Sequence, residues 1–248
     1  MQQTSLFQNQ DPLANRLRPQ SLDDYVGQKH LVGKGKLLRQ FIENDQISSM
    51  IFWGPPGVGK TTLAQIIAQT SKAEFINFSA VTSGIKDIKE VMKQASQKQA
   101  LGIKTIVFVD EIHRFNKAQQ DAFLPYVEKG SIVLIGATTE NPSFEINSAL
   151  LSRCKVFVLH ALETEDILEL LHHALNDERG FKNEDIQIDE DTLYMIASFA
   201  NGDARVALNT LEMAVFNGER QNQKTLVSKE IVEQCTSHKS LLYDKKGE

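Results

Sequence analysis

The run Gly54-Pro55-Pro56-Gly57-Val58-Gly59-Lys60-Thr61-Thr62 fits G-x-x-x-x-G-K-[ST], set between the apolar Phe52-Trp53 and an amphipathic stretch carrying Leu63, Ile66 and Ile67. Gly57 and Gly59 permit backbone conformations and close approaches that a Cβ would forbid, so successive N–H groups can point inward at an anion. Lys60 supplies a point charge for the β- and γ-phosphates of a nucleotide, Thr61 a hydroxyl for Mg²⁺, and the following helix N-terminus its partial positive charge. Further on, Ile106-Val107-Phe108-Val109 runs into Asp110 and Glu111. Two carboxylates at a strand end lie where open α/β sheets place their ligands. Asp110 is suited to hold Mg²⁺ through water and Glu111 to polarise an attacking water as general base. Taken alone, such a pair is more often the start of an exposed loop. The phosphate loop upstream gives it a chemical meaning.

Ala137-Thr138-Thr139 ends another apolar run, and Thr139 is assigned as the hydroxyl reaching the γ-phosphate or the water. The plainer alternative is a Thr-rich strand end closed by the Asn141-Pro142 turn. Arg205 follows Asn201-Gly202-Asp203-Ala204 in the first turn of a helix, where a cation is electrostatically misplaced. That hints at an anionic partner, the γ-phosphate, although Asp203 or Glu212 could pair with it instead. Arg153, in Leu151-Ser152-Arg153-Cys154, is either functional or a surface ion-pair residue, and spacing does not separate the two.

These groups need a scaffold, and the chain from Ser49 alternates short apolar runs with longer amphipathic ones, the pattern of strands and crossover helices around a parallel sheet. Strands are expected at Ser49–Trp53, Glu74–Phe78, Lys104–Val109, Ser131–Gly136 and Lys155–Leu159, several apolar on both faces as helix-covered strands should be. The stretch from Glu74 to Ala100 intervenes between phosphate loop and acidic pair, so the two strands need not be neighbours. Past His160, helical periodicity takes over at Glu165–Asn176, Asp191–Ala200, Asp203–Phe216 and Ser228–Gln234. The expected fold is therefore α/β: a P-loop domain over residues 1–160 with a five-stranded parallel sheet flanked by helices, and a small all-α lid over 161–240. Residues 1–18 are expected to be a loose segment of the first domain and 241–248 a C-terminal end. ATP and Mg²⁺ are expected at the junction of the domains, with hydrolysis moving the lid.

The chain of 248 residues is 41% hydrophobic and 24% charged, values of an ordinary soluble globular protein. No apolar run reaches the ~18–20 residues that span a bilayer, and the polar start lacks a signal-peptide stretch, so a cytoplasmic protein without a membrane partner is expected. Cys154 and Cys235 lack metal-ligand spacing and read as ordinary thiols. A net charge of −5 gives no global attraction for nucleic acid. Lys86, Lys89, Lys93, Lys98 and Lys104 are a possible local source, with a solvated helix face as the plainer alternative.

Taken together, Asp110-Glu111-Ile112-His113-Arg114-Phe115-Asn116, Gly136 to Phe144 and Gly202-Asp203-Ala204-Arg205 make the chain resemble AAA+ ATPases of the clamp-loader branch, and within them the RarA (MgsA) family, relatives of the eukaryotic Werner helicase-interacting ATPase. The resemblance begins at Pro12-Leu13-Ala14-Asn15-Arg16-Leu17-Arg18-Pro19 and continues through Tyr25-Val26-Gly27-Gln28 to Tyr243-Asp244. It implies a DNA-dependent ATPase of replication-fork maintenance and recombination, acting on DNA ends, single-stranded gaps or forks near single-stranded-DNA-binding protein and associated with the nucleoid. It further implies that Thr139 is sensor 1, Arg153 an arginine finger serving a neighbour's ATP, and Arg205 sensor 2. Arg16 to Val26, including Tyr25, resembles the segment that wraps the adenine. Full-length members form tetramers through a region beyond this chain's end. The same catalytic set also suits a clamp-loader subunit or a Holliday-junction branch-migration motor, and a non-hydrolysing adaptor is the rival outside enzymes.

Overall fold

Each of the five apolar runs forms a strand: β1 (Met50–Trp53), β2 (Glu74–Ser79), β3 (Thr105–Asp110), β4 (Val133–Thr138) and β5 (Lys155–Val158). All pair in parallel in the order β2-β3-β4-β1-β5. The computed structural model describes residues 11–80, 84–221 and 224–243, with side chains to residue 236. Residues 1–10 and 244–248, parts of the expected loose start and C-terminal end, lie outside the described residues.

Period-two alternation splits the strand side chains between two apolar layers. Phe52, Ile106, Phe108, Ile135 and Ala137 pack with Leu63, Ile66 and Ile67 of the helix Lys60–Thr70. Ile51, Val107, Val109 and Leu134 pack with Ile88, Met92 and Ala95 of the helix Ile85–Gln99. Coverage on both sides explains why these strands read as continuous apolar runs. β4 starts two residues later than expected because Ser131 N–H donates to Tyr126 O at 2.9 Å, closing the preceding helix rather than joining the ladder. The strand then runs on to Thr138, opposite Trp53 of β1.

By their internal contacts, the described residues of 19–160 form one compact unit and the described residues of 1–18 and 161–248 another. This differs from the expected grouping of residues 1–18 with the P-loop domain. Leu13 and Leu17, one helical turn apart, are buried in the helical unit's core, and Glu212 accepts from both Leu13 N–H (2.9 Å) and the Arg16 guanidinium (3.3 Å).

The second unit is helical in its core. The helices Thr164–Asn176, Glu190–Ala200 and Ala204–Phe216 bury Ile167, Leu171, Ile196 and Leu211, and Lys229–Tyr243 is a fourth helix, longer than expected. It also contains a small sheet absent from the all-α expectation: β6 (Asp185–Ile188), β7 (Glu219–Gln221) and β8 (Lys224–Val227), ordered β6-β8-β7. Three or four residues with one half-buried face, as in Asp185-Ile186-Gln187-Ile188, are too few for a period of two to stand out.

Candidate functional site

The loop between β1 and the helix Lys60–Thr70 is shaped from beneath by Tyr25, whose hydroxyl donates to Val58 O at 3.2 Å. Gly59 sits at φ +93°, and a Cβ there would lie 2.5 Å from the Tyr25 hydroxyl, so position 59 must be glycine for both backbone and packing reasons. Burial pushes the Tyr25 phenol well above its ordinary pKa, keeping it a neutral donor. Gly54, Pro55, Pro56 and Gly57 form the outer turn, and Thr61 and Thr62 are half-buried in the first helical turn. Lys60, 8% exposed, donates from Nζ to Gly54 O and Pro55 O, each at 2.7 Å. Its ammonium is thus already aimed into the loop.

The acidic pair ends β3, and β4 lies between β3 and β1. Gly54 N–H donates to Thr138 O at 3.1 Å, joining the phosphate loop to the end of β4. Strands spaced about 4.8 Å apart bring the ends of β1, β4 and β3 within roughly 10 Å. Asp110 Oδ1 accepts from Glu111 N–H at 3.1 Å. Glu111 is left-handed at φ 52°, a conformation costing about 1–2 kcal/mol for a residue with a side chain. It opens the single-turn helix Ile112–Arg114, seated where Gly136 leaves room: a Cβ on Gly136 would lie 2.8 Å from Ile51 Cδ1 and 2.9 Å from Ile112 Cδ1.

Two residues that spacing does not single out join this cluster. His113 Nδ1 lies 2.9 Å from Thr138 Oγ1 and 3.3 Å from Glu111 Oε2. Thr138 is fully buried, while Thr139, the residue assigned from the sequence, stands half-exposed just past the strand. The available signal was a histidine two residues beyond Glu111, but its contact with β4 depends on sheet order.

The residues present fit a nucleoside triphosphate and a hard cation. The loop combines backbone donors, a helix start and a buried lysine, and Thr61 and Asp110 offer oxygen ligands. Among the described residues no group of three or more His, Cys, Asp or Glu could hold a metal. The Thr61 hydroxyl and the Asp110 carboxylate are the kind of oxygen ligands by which protein binds Mg²⁺, while phosphates and waters supply the rest.

Arg153 lies elsewhere in this unit. It precedes β5 and lines a cleft of about 620 Å³ with Ser49, Thr105 and Ile132, near the starts of the strands whose opposite ends lead into the phosphate loop and the acidic pair. A four-residue strand spans ~13 Å. Arg153 pairs with Glu128 at 2.5 Å and donates to Ala149 O at 2.6 Å. Both partners are substantially exposed, and such surface pairs contribute about 0–1 kcal/mol. Beside it, burial pushes the Cys154 thiol up to about 12, an inert thiol; Cys154 and Cys235 are both free. Val26 is half-buried.

The helical unit holds the other assigned arginines. Arg16 bonds Glu212 and Arg179 O (2.6 Å), so its guanidinium is engaged within that unit. Asp203 caps its helix by accepting from Val206 N–H at 2.9 Å, and Glu212 is taken by Arg16. Among the described residues no carboxylate forms an ion pair with Arg205. Its charge instead acts on Arg18, whose pKa is lowered first by burial and then by Arg205. Of the five lysines, Lys98 pairs with Glu74 (2.5 Å) and Lys104 with Asp45 (2.6 Å), while Lys86, Lys89 and Lys93 are exposed on one helix.

A phosphate loop after β1, an acidic pair after β3 and a strand inserted between them define a P-loop ATPase of the AAA class. The model of the ATPase family associated with various cellular activities matches residues 50–162, and that of the AAA C-terminal domain matches 182–248. The chain is 51% identical to replication-associated recombination protein A of Escherichia coli K12 over 239 residues, 96% of this chain and 54% of that protein. It is 43% identical to ATPase WRNIP1 of Dictyostelium discoideum over 253 residues, 96% of this chain and 29% of that protein. Among solved structures, RuvB of Thermotoga maritima, described as a Holliday junction branch migration motor, matches with TM-score 0.70 at 26% identity, covering 90% of this chain and 73% of that one. The chain carries an AAA ATPase domain over residues 50–162, and along nearly all its length it is similar to the replication-associated recombination A proteins. It spans about half the length of those curated relatives. Among the described residues no helix is long and apolar enough to cross a membrane.

Proposed function

We propose that this chain hydrolyses ATP and that hydrolysis serves the maintenance or remodelling of stalled replication forks and recombination intermediates. The observation supporting the chemistry best is the insertion of β4 between β1 and β3, which sets the Thr138–Thr139 end between the phosphate loop and Glu111. In this scheme the N–H groups from Gly54 to Thr62 and Lys60 hold the phosphates, and Thr139 orients the γ-phosphate or the water. Glu111 takes the proton of the attacking water. Bound Mg²⁺, held by Thr61 and by Asp110 through water, would neutralise charge on the phosphates. Arg205, a cation with a second cation beside it, is assigned to the γ-phosphate. Arg153 is assigned to a neighbouring subunit's ATP, because it stands at the far end of the sheet from its own phosphate loop and its exposed pair with Glu128 is weak enough to exchange for phosphate. Tyr25, Val26 and Arg16 retain the proposed adenine segment in a limited sense, with Tyr25 supporting the loop.

The replication and recombination role draws on the names of the relatives, whereas DNA ends, gaps or forks as partners, single-stranded-DNA-binding protein, nucleoid association and the tetramer of full-length members rest on the motif resemblance alone. A second reading, a four-way-junction motor, is favoured by the likeness to RuvB. A nucleotide-bound adaptor has no use for the strained Glu111. The test is ATP turnover against gapped and blunt-ended DNA, four-way junctions and a sliding clamp, beside Glu111→Gln. Gapped or ended DNA should stimulate most. Glu111→Gln should keep Mg-ATP affinity near normal while turnover falls about 10²-fold or more. Indifference of turnover to every DNA rejects the fork role, and full turnover in Glu111→Gln rejects the base assignment.

A further inference from the structure

Glu111 does not face the strand ends alone. His113 is 14% exposed and Glu111 33%, and a single ring nitrogen, Nδ1, faces both Glu111 Oε2 (3.3 Å) and Thr138 Oγ1 (2.9 Å). The protonation follows from donor and acceptor counting. An ionised carboxylate has no hydrogen to give, so a favourable contact with Glu111 requires the hydrogen on Nδ1. Thr138 Oγ1 then accepts from Nδ1–H and from Glu140 N–H (3.0 Å), and turns its own proton toward Glu140 O (3.3 Å). Nδ1–H thus bonds Thr138 and has the Glu111 carboxylate within 3.3 Å as a second candidate acceptor. Thr138 is completely buried, and the seat of Ile112 against Gly136 holds the histidine's turn against β4.

We propose that His113 is a positioning residue for hydrolysis: its Nδ1–H is shared between Glu111 and Thr138, so that the end of β4 controls how firmly the base is held. This rests on Glu111 being the general base. Thr139 is the residue next to Thr138. A displacement that Thr139 follows on meeting the γ-phosphate or the water changes the Thr138 hydroxyl's hold on Nδ1–H, and with it the freedom of the Glu111 carboxylate. Nothing in this requires the imidazole to change charge or to contact the nucleotide. The expected signature is therefore a loss in turnover without a loss in nucleotide binding.

The experiment compares steady-state ATP hydrolysis of the parent with His113→Ala, His113→Asn, Thr138→Val and Glu111→Gln, each checked for a native melting transition. His113→Ala should lower kcat by about 10- to 100-fold, the scale for a misplaced catalytic group, with KM for ATP within about twofold. His113→Asn, whose amide nitrogen falls near Nδ1, should recover kcat to within about threefold of the parent. Thr138→Val removes the competing acceptor and should lower kcat by about threefold or more at unchanged KM. If His113→Ala keeps kcat within twofold while Glu111→Gln falls a hundredfold, the histidine proposal alone is overturned. It is equally overturned if Asn is as impaired as Ala, since ring bulk rather than the Nδ1 hydrogen would then matter, or if the loss appears in KM. Full turnover in Glu111→Gln overturns the base assignment beneath it. Should His113→Ala not fold, Thr138→Val decides, with parental kcat sinking the proposal.

Discussion

The two units of this chain hold their chemically important side chains by different means. In the α/β unit, residues 19–160, the working groups stand at the ends of strands buried on both faces, and the local backbone bends to serve them, as at Gly59 (φ +93°) and Glu111 (φ 52°). In the helical unit, the left-handed Asn201 (φ 47°) and Gly202 (φ 80°) turn the chain between two helices, Asp203 caps the second, and Arg205 extends from its first turn on a long side chain, with Glu212 committed to Arg16. Bond-breaking chemistry needs atoms placed to within a fraction of an ångström, which strand ends over a packed core provide. A charge acting on an anion through space tolerates a longer, freer side chain.

The sharpest way to test this contrast is Arg153, a partly exposed side chain of the α/β unit held by a surface pair with Glu128. In oligomeric protein, Arg153→Ala should lose about 10³- to 10⁵-fold in turnover, the range for an arginine supplied across an interface. Mixed in equal amounts with Lys60→Ala, it should recover roughly a quarter of parental activity, since half the sites keep Lys60 and half of those face an intact arginine. No recovery with freely exchanging subunits would assign Arg153 a role within its own subunit. Lys60→Ala by itself should weaken Mg-ATP binding by 2–5 kcal/mol, about 30- to several-thousand-fold, read by calorimetry, with the melting transition little changed. Retained affinity would mean that backbone donors alone grip the phosphates.

Smaller effects probe the scaffolds. Gly136→Ala should destabilise the α/β unit by about 1–3 kcal/mol in denaturant unfolding, because the new Cβ meets Ile51 and Ile112 side chains at 2.8 and 2.9 Å. It should also lower turnover, since Ile112 and His113 share one turn. A stable variant with normal turnover would show that this seat is not needed. In the helical unit, hydrogen bonds from Arg179 hold the Asp177 carboxyl at about 2, despite opposing desolvation. Its contribution is present above the ordinary carboxylate range and is lost as pH falls from about 4 toward 2. Asp177→Asn should flatten that acid limb of the stability profile by less than about 1 kcal/mol, Arg179 being well exposed. An unchanged limb would remove Asp177 from it.

The phosphate loop, the acidic pair and all five strands of the main sheet are legible in the chain because each is written in contiguous residues: a run of apolar side chains, or a spacing along one turn. The small sheet of the helical unit is not, since β7 and β8 are three and four residues long and their pairing carries the signal. The placement of Leu13 and Leu17 is not legible either. An apolar pair on a short helix does not say which core will bury it, and here it is the helical one.

By itself the sequence determined a glycine-rich loop carrying Lys60 and a strand-end carboxylate pair, residue types suited to a triphosphate and to an attacking water, because local backbone freedom and side-chain chemistry follow directly from residue type and order. Only the tertiary structure decided that β4 runs between β1 and β3, that Thr138 meets His113 beside Glu111, and that Arg153 stands at the sheet's opposite end. Strand order is a property of non-local pairing, set by which apolar faces and crossover helices pack together. Contacts across neighbouring strands follow from that packing, and no spacing along the chain encodes them.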